Sequence, residues 1–406
     1  MNKFDVRMNA NTKYIEVVDD IYKILMTSEL SGNVGLLAGT SGIALFIAYY
    51  DRIILQSNSL NPRVEEILEH NIKCIDSGNR IHSICNGISG FGWLCEHLRK
   101  MGTLSQEDVE FLDDLDPFLY DRMMVDIKRG YYDYLHGALG VGTYFLSRFE
   151  KKGVPAYLNN LLTGLENSSI PCERGRIKWI SLLDHKTGKE GYNISLSHGM
   201  SSIAAFLIRL HHLDFEKARV EKLLFGTILY ILDQMTYVEG NLSYFPSHSK
   251  ESSEGNNYSR LGWCYGDLGI ACVLRRAAIA LKKREWENTA LEVLCHNADR
   301  RNLQKNLIND AGFCHGSAGI AHVFLSLYSS TQVEKFRETV DYWMSITLQM
   351  AKHPNGLAGF KAWHTEEHGG FENVDSFLEG IAGIGMVLLS YLKKDEILWD
   401  ECVMLS

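Results

Sequence analysis

Proline is scarce in this chain, with six in 406 residues. Proline interrupts helix interiors and central strands, so its rarity leaves room for many unbroken helices. Long apolar runs are missing too. No stretch reaches about 18 uninterrupted apolar residues, and no membrane-spanning helix is expected. The opening residues, MNKFDVRMNANTKYIEVV, contain no apolar core, so a secretory signal is not expected. There is no lysine- and arginine-rich block, and the formal charge is −9. Nucleic-acid binding needs a basic footprint for the phosphates, which argues against nucleic acid as the main partner. Nine cysteines are present, but an odd, irregularly spaced set in a chain this long is not a disulfide framework. Mostly free thiols in a reducing cytoplasm are the expectation. Long alternating polar and apolar stretches are absent, which excludes a substantial sheet.

What the chain does contain is an internal repeat. A glycine is followed by two residues, a second glycine or small residue, and an apolar run. AGTSGIALFIAYY, CNGISGFGWLCEHL, LHGALGVGTYFL, SHGMSSIAAFLIRL, CYGDLGIACVLRRA, CHGSAGIAHVFL and LEGIAGIGMVLLSYL carry it. Their first glycines are Gly39, Gly87, Gly137, Gly199, Gly266, Gly316 and Gly380, and Ser202 replaces the second glycine in the fourth copy. A helix that is apolar all round is a buried one. Between the copies lie amphipathic segments, among them NPRVEEILEHNIKCI, VEKLLFGTILYILDQM, WENTALEVLCHNADRR and VEKFRETVDYWMSITLQM. Their apolar residues recur at spacings of three and four, as on an outer helix with one solvated face. Each repeat is then an outer helix, a glycine turn and an inner helix. Residues 1–406 are expected to form one all-α domain, a closed α/α toroid of seven helical hairpins. An open solenoid is the structural alternative.

Equivalent positions of such a repeat lie at one height. The residue before the first glycine is Ala38, Asn86, His136, His198, Tyr265, His315 and Glu379 in turn. The residue before that is Leu37, Cys85, Leu135, Ser197, Cys264, Cys314 and Leu378. Polar and metal-capable groups therefore crowd one rim of an otherwise apolar interior, a plausible place for a site. Cys264 and Cys314 share a register in neighbouring repeats, and His315 adjoins Cys314. Two thiolates and an imidazole suit zinc, and three protein ligands leave a fourth position open, which is the catalytic pattern. Cys85 shares the register but belongs to a distant repeat and is expected to be structural. The Cys295–His296 pair lies in an outer helix without a glycine turn and is expected to be a decoy. His136 and Glu379 are expected to line the cavity rather than react.

The stretches RLGWCYGDLG, CHGSAGIA and SHGMSS give the whole chain a resemblance to the lanthionine synthetase C-like family, whose bacterial members are lanthipeptide cyclases. The resemblance implies a seven-fold α/α toroid and Zn2+ held by Cys264, Cys314 and His315. It also implies catalytic roles for His198, Asp133, Arg260 and Tyr265. The implied reaction is addition of a peptide cysteine thiolate to dehydroalanine or dehydrobutyrine, giving a thioether ring. His198 is the implied proton donor to the resulting enolate, with Asp133 orienting or tuning it. Arg260 stabilises the enolate oxygen or holds Asp133, and Tyr265 hydrogen-bonds at the site. The implied partners are a dehydrated precursor peptide as substrate, a dehydratase that acts first, and an exporter, with membrane association only through such partners. Two alternatives stay open: a relative adding glutathione or another thiol to dehydrated residues, and a non-catalytic zinc-containing scaffold. The sequence departs from the family pattern at Ser202 and in FPSHSKESSEGNNYSR. An α/α-toroid glycosidase or lyase would use paired carboxylates, and the rim offers mainly His and Cys.

Overall fold

A computed structural model describes residues 3–184, 186–236, 240, 242–255, 258–393 and 398–406. Its helices alternate in the order the sequence predicts. The outer members are α1 (Lys3–Leu25), α3 (Pro62–Asp76), α5 (Leu112–Lys128), α7 (Val154–Ser168), α9 (Lys217–Asp233), α11 (Arg284–Ala298) and α13 (Glu334–Met350). The inner members are α2 (Thr40–Tyr50), α4 (Ile88–Lys100), α6 (Ala138–Ser147), α8 (Met200–His212), α10 (Asp267–Ala280), α12 (Ser317–Thr331) and α14 (Ile381–Leu392). Each inner helix begins directly after one of the seven glycines. Every residue of α2 and of α6 is buried. The outer helix α3, by contrast, buries a stripe of Arg63, Val64, Ile67, Asn71 and Ile75.

The glycine turn has a common construction. The first four amides of a helix lack partners inside it. In six of the seven turns the amide after the glycine donates to a carbonyl seven residues back. Thr40 bonds Asn33, Ile88 bonds Ile81, Ala138 bonds Tyr131, Met200 bonds Asn193, Ser317 bonds Asp310 and Ile381 bonds Val374, all at 2.8–3.2 Å. The chain thus doubles back tightly under these six inner helices. The closest approach is at Gly319, where a Cβ would sit 1.7 Å from the Phe313 carbonyl oxygen.

The chain divides into two compact units. One comprises Met1–Ile81, Cys85–Val109 and Ile308–Leu398; the other comprises His82–Ile84, Glu110–Leu307 and Trp399–Ser406. In the first unit α1 and α2 both pack against α14, α12 against α13 and α14, and α2 against α3 and α4. Turns at equivalent register positions are linked through the backbone. The Leu37 and Ala38 amides donate to the Cys85 carbonyl, Cys314 to Leu378, and Leu378 to Leu37. The first and last hairpins are therefore neighbours. In the second unit α5 packs on α6 and α7, α6 on α7 and α8, α8 on α9 and α10, and α10 on α11. There the Leu196 and Ser197 amides donate to the Cys264 carbonyl. The shared register inferred from sequence is thus a hydrogen-bonded one within each unit.

Three two-stranded antiparallel ribbons complete the described chain. β1 (Ile170–Pro171) pairs with β2 (Ile177–Lys178), β3 (Ser181–Asp184) with β4 (Lys189–Gly191), and β5 (Ala362–Trp363) with β6 (Phe371–Glu372). They are too short to carry an alternation that sequence reading can detect. No helix among the described residues is long and apolar enough to cross a membrane.

Candidate active site

Three consecutive turns of the second unit bring Asp133, His198 and Tyr265 together. Asp133 is buried, and its Oδ1 accepts the His136 amide at 2.8 Å. That bond fixes the carboxylate, so Oδ2 meets His198 Nδ1 at 2.6 Å. The His198 amide in turn donates to Ser195 Oγ at 3.2 Å. With Nδ1 engaged by the carboxylate, Nε2 is the ring nitrogen left for chemistry. Burial opposes protonation of His198. The charge and hydrogen bond of Asp133, aided by the charge of Cys264, outweigh it and hold the imidazole above its ordinary value. Asp133 answers in the opposite sense. Burial works against its ionisation, but His198 and His136 draw its carboxyl below the usual range. Each partner thus favours the ionised form of the other.

Tyr265 lies beside this pair, its ring 5.9 Å from that of His198. Asn193 Nδ2 donates to its hydroxyl at 3.4 Å. Burial, with the Cys264 and Asp133 charges, pushes its hydroxyl up to about 12 against hydrogen bonds from Asn193 and Ser195. It therefore stays a phenol near neutral pH. The His136 ring stacks 6.1 Å from His198. Arg260 differs from one of its two expected roles. Its guanidinium donates to the Leu307 carbonyl at 3.5 Å, and Asp133 is held by His198 and His136 instead. The residue faces a loop that sequence spacing from the glycine turn does not locate.

The turn carrying Cys264 is built unlike the others. Gly266 has φ +88 and ψ −159, whereas the other six turn glycines have negative φ. That region is essentially reserved for glycine. The following Asp267 is fully buried and accepts the amides of Tyr244 at 3.0 Å and Phe245 at 2.8 Å, and Asn297 Nδ2 at 2.9 Å. Arg300 approaches it at 3.5 Å. A Cβ on Gly266 would lie 2.5 Å from Ser259 Oγ and 2.6 Å from the Arg260 carbonyl oxygen. Gly266→Ala is expected to cost about 2–4 kcal/mol, combining the backbone penalty with the clash. A urea midpoint unchanged from wild type would refute this.

In the first unit the turn of Cys314 and His315 is pinned by Asp310. Its Oδ1 accepts the Gly312 amide at 2.9 Å and its Oδ2 the Trp363 amide at 2.7 Å. The Cys314 amide donates to the Leu378 carbonyl at 2.8 Å. Cys264 of the second unit and Cys314 and His315 of the first are the residues able to hold a metal ion among those described. Both cysteines are buried and the histidine is half-buried. The donor set, two thiols and an imidazole, fits zinc.

Sequence reading missed several supporting residues. Asn33, Asn193 and Asp310 all stand six residues before a turn glycine, and each accepts the amide two residues on. This Asx turn was visible in the register as a recurring polar residue. Asp267 and His248 gave no such signal. His248, from the loop that departs from the family pattern, meets the edge of Tyr265 with ring centroids 5.9 Å apart. Cys295 and His296 do lie within the outer helix α11, where His296 Nε2 approaches the Leu242 carbonyl at 3.2 Å.

A family model described as lanthionine synthetase C-like protein matches residues 31–404. Among solved structures, nisin cyclase shares the fold: TM-score 0.74, 17% identity, with 98% of each chain covered.

Proposed function

The chain belongs to the lanthionine synthetase C-like family, and we propose that it is a zinc-dependent lanthipeptide cyclase acting in the cytoplasm on a dehydrated precursor peptide. The observation that carries the reading is the set of two thiols and one imidazole, the three donors that a catalytic zinc would take from protein. Cys264, Cys314 and His315 would hold the ion. Zinc there supplies stabilisation of a substrate cysteine as thiolate, the nucleophilic form, near neutral pH. As the sulfur attacks the β-carbon of a dehydroalanine or dehydrobutyrine, the C–S bond forms and the alkene electron pair moves into an enolate. His198 then delivers its Nε2 proton to the α-carbon. Asp133 keeps that imidazole charged and oriented. Tyr265, as a neutral phenol, donates a hydrogen bond toward the enolate oxygen, and Arg260 adds positive charge nearby. A dehydratase must act before this step, and an exporter after it.

The proposed architecture is a closed α/α toroid of seven hairpins. Adjacency of the first and last hairpins within one unit supports it over an open solenoid, as does the fold shared with nisin cyclase. The test of function uses the purified full-length protein. Zinc content is measured by elemental analysis, and the protein is incubated with a peptide carrying one cysteine and one dehydroalanine. Ring closure is an isomerisation, so the expected result is unchanged peptide mass with loss of the alkylatable thiol, at about one zinc per chain. Retention of the thiol by a zinc-loaded protein would favour a scaffold. Exclusive formation of adducts with added glutathione would favour the small-thiol reading.

A further inference from the structure

A cavity of the second unit lies away from the proposed cyclase centre. It is a groove of about 1060 Å³ between the end of α7, the β1–β2 ribbon, α9 and the C-terminal end of α10. His198 and Cys264 precede the N-termini of α8 and α10, whereas the groove takes His211 and Leu281 from their opposite ends. Helices of 13 and 14 residues at 1.5 Å per residue put about 20 Å between the two places.

The charge of this groove runs against that of the chain. Both carboxylates at its wall are already engaged. Glu166 is gripped by Arg219, with Nε at 3.0 Å and Nη2 at 2.5 Å. Glu221 meets His211 Nε2 at 3.1 Å. Among the cations, Arg176 pairs with Asp233 and Lys217 with Asp214. Lys222, Lys282 and Lys283 have no carboxylate partner among the described residues, and Lys283 rests over the Phe225 ring at 5.2 Å. Lys282 stands at φ +54 just past the end of α10, a position glycine commonly fills. The floor is apolar, with Ile177 and Leu223 buried and Phe225 half-buried. The groove therefore offers three uncompensated ammonium groups above an apolar strip in a chain of net charge −9.

We infer that this groove docks an acidic peptide segment whose apolar side chains lie on the strip while its carboxylates meet Lys222, Lys282 and Lys283. The apolar floor favours a peptide over a sugar–phosphate chain, which would leave that surface unfilled. A segment bound here and also reaching the proposed centre needs at least about six extended residues between the two, at about 3.3 Å each.

Fluorescence anisotropy on the full chain tests this without any cyclisation, so its outcome is separable from that of the cyclase reading. The probe is a fluorescein-labelled ten-residue peptide of alternating glutamate and leucine. Saturable binding that weakens as salt rises is expected. The double variant Lys222→Glu/Lys282→Glu should weaken it by about tenfold, since two attractive contacts become repulsive. The double variant Lys222→Arg/Lys282→Arg should stay within about twofold, because the charges remain. Alkylation of Cys172, which lines the groove, should slow when the peptide is present. The inference is overturned if the probe does not bind, if its glutamine-for-glutamate counterpart binds equally, or if charge reversal leaves binding intact. A single-stranded RNA decamer that binds more tightly than the peptide would overturn it in favour of nucleic acid.

Discussion

Cys314→Ala is expected to abolish both metal retention and ring formation. Three donors hold the proposed ion, and removing one thiolate leaves a thiolate and an imidazole. Loss of an outer-shell partner of a metal ligand already costs about 10–100-fold in affinity or activity, so loss of a ligand should exceed about 100-fold. The fold should survive, because the Cys314 amide bond to Leu378 and the Asp310 clamp are backbone-directed and do not use the thiol. Cys85→Ala is the matched control. It occupies the same register, yet it is not among the grouped ligands, and zinc content should be unchanged. Elemental analysis of the two variants beside wild type decides the matter. Equal zinc in the Cys314 variant would remove that residue from the ligand set.

His198→Asn is the second large effect expected. Asparagine can hydrogen-bond to Asp133 but cannot carry a titratable proton, so ring formation should fall by about 10²–10⁴-fold with zinc retained. Undiminished activity would mean that another group protonates the α-carbon. Asp133→Asn separates the charge of the pair from its proton. Without the carboxylate, burial dominates and the imidazole loses its proton more readily. The alkaline limb of the rate profile should then move to lower pH.

Stability carries the same signature. The raised pKa of His198 contributes stability that is full below its unfolded value and is lost as pH rises through the folded one. The lowered pKa of Asp133 contributes stability present above its unfolded value and lost as pH falls through the folded one. The pair therefore stabilises most between the ordinary carboxylate value of 3.8 and the ordinary imidazole value of 6.5. Urea midpoints of wild type and Asp133→Asn should differ most in that window. A constant difference from pH 3 to pH 9 would count against the pair.

The seven glycine turns were legible because each is built from local rules. A glycine that must approach a carbonyl six or seven residues back is specified within one short segment, and so is the apolar helix after it. The helix boundaries followed directly, and the shared register of Cys264 and Cys314 followed from counting. The ribbons were not legible, because strands of two to four residues leave no period to read.

Side-chain pairing is where the sequence stopped. Register placed His198 on the rim and the resemblance pointed to Asp133, but only packing of their turns put Oδ2 on Nδ1 and turned Arg260 toward Leu307. The unusual backbone of Gly266 accompanies the buried Asp267, whose partners Tyr244, Phe245 and Asn297 lie more than twenty residues away in sequence. The uncompensated lysines of the outer groove emerge only once the acids beside them are seen to be paired elsewhere. By itself the sequence determined the repeat, the helices and the identity of the metal-capable residues, since these depend on local periodicity and count. Tertiary structure decided which charged and polar groups face one another, because those contacts join distant segments and are set by packing.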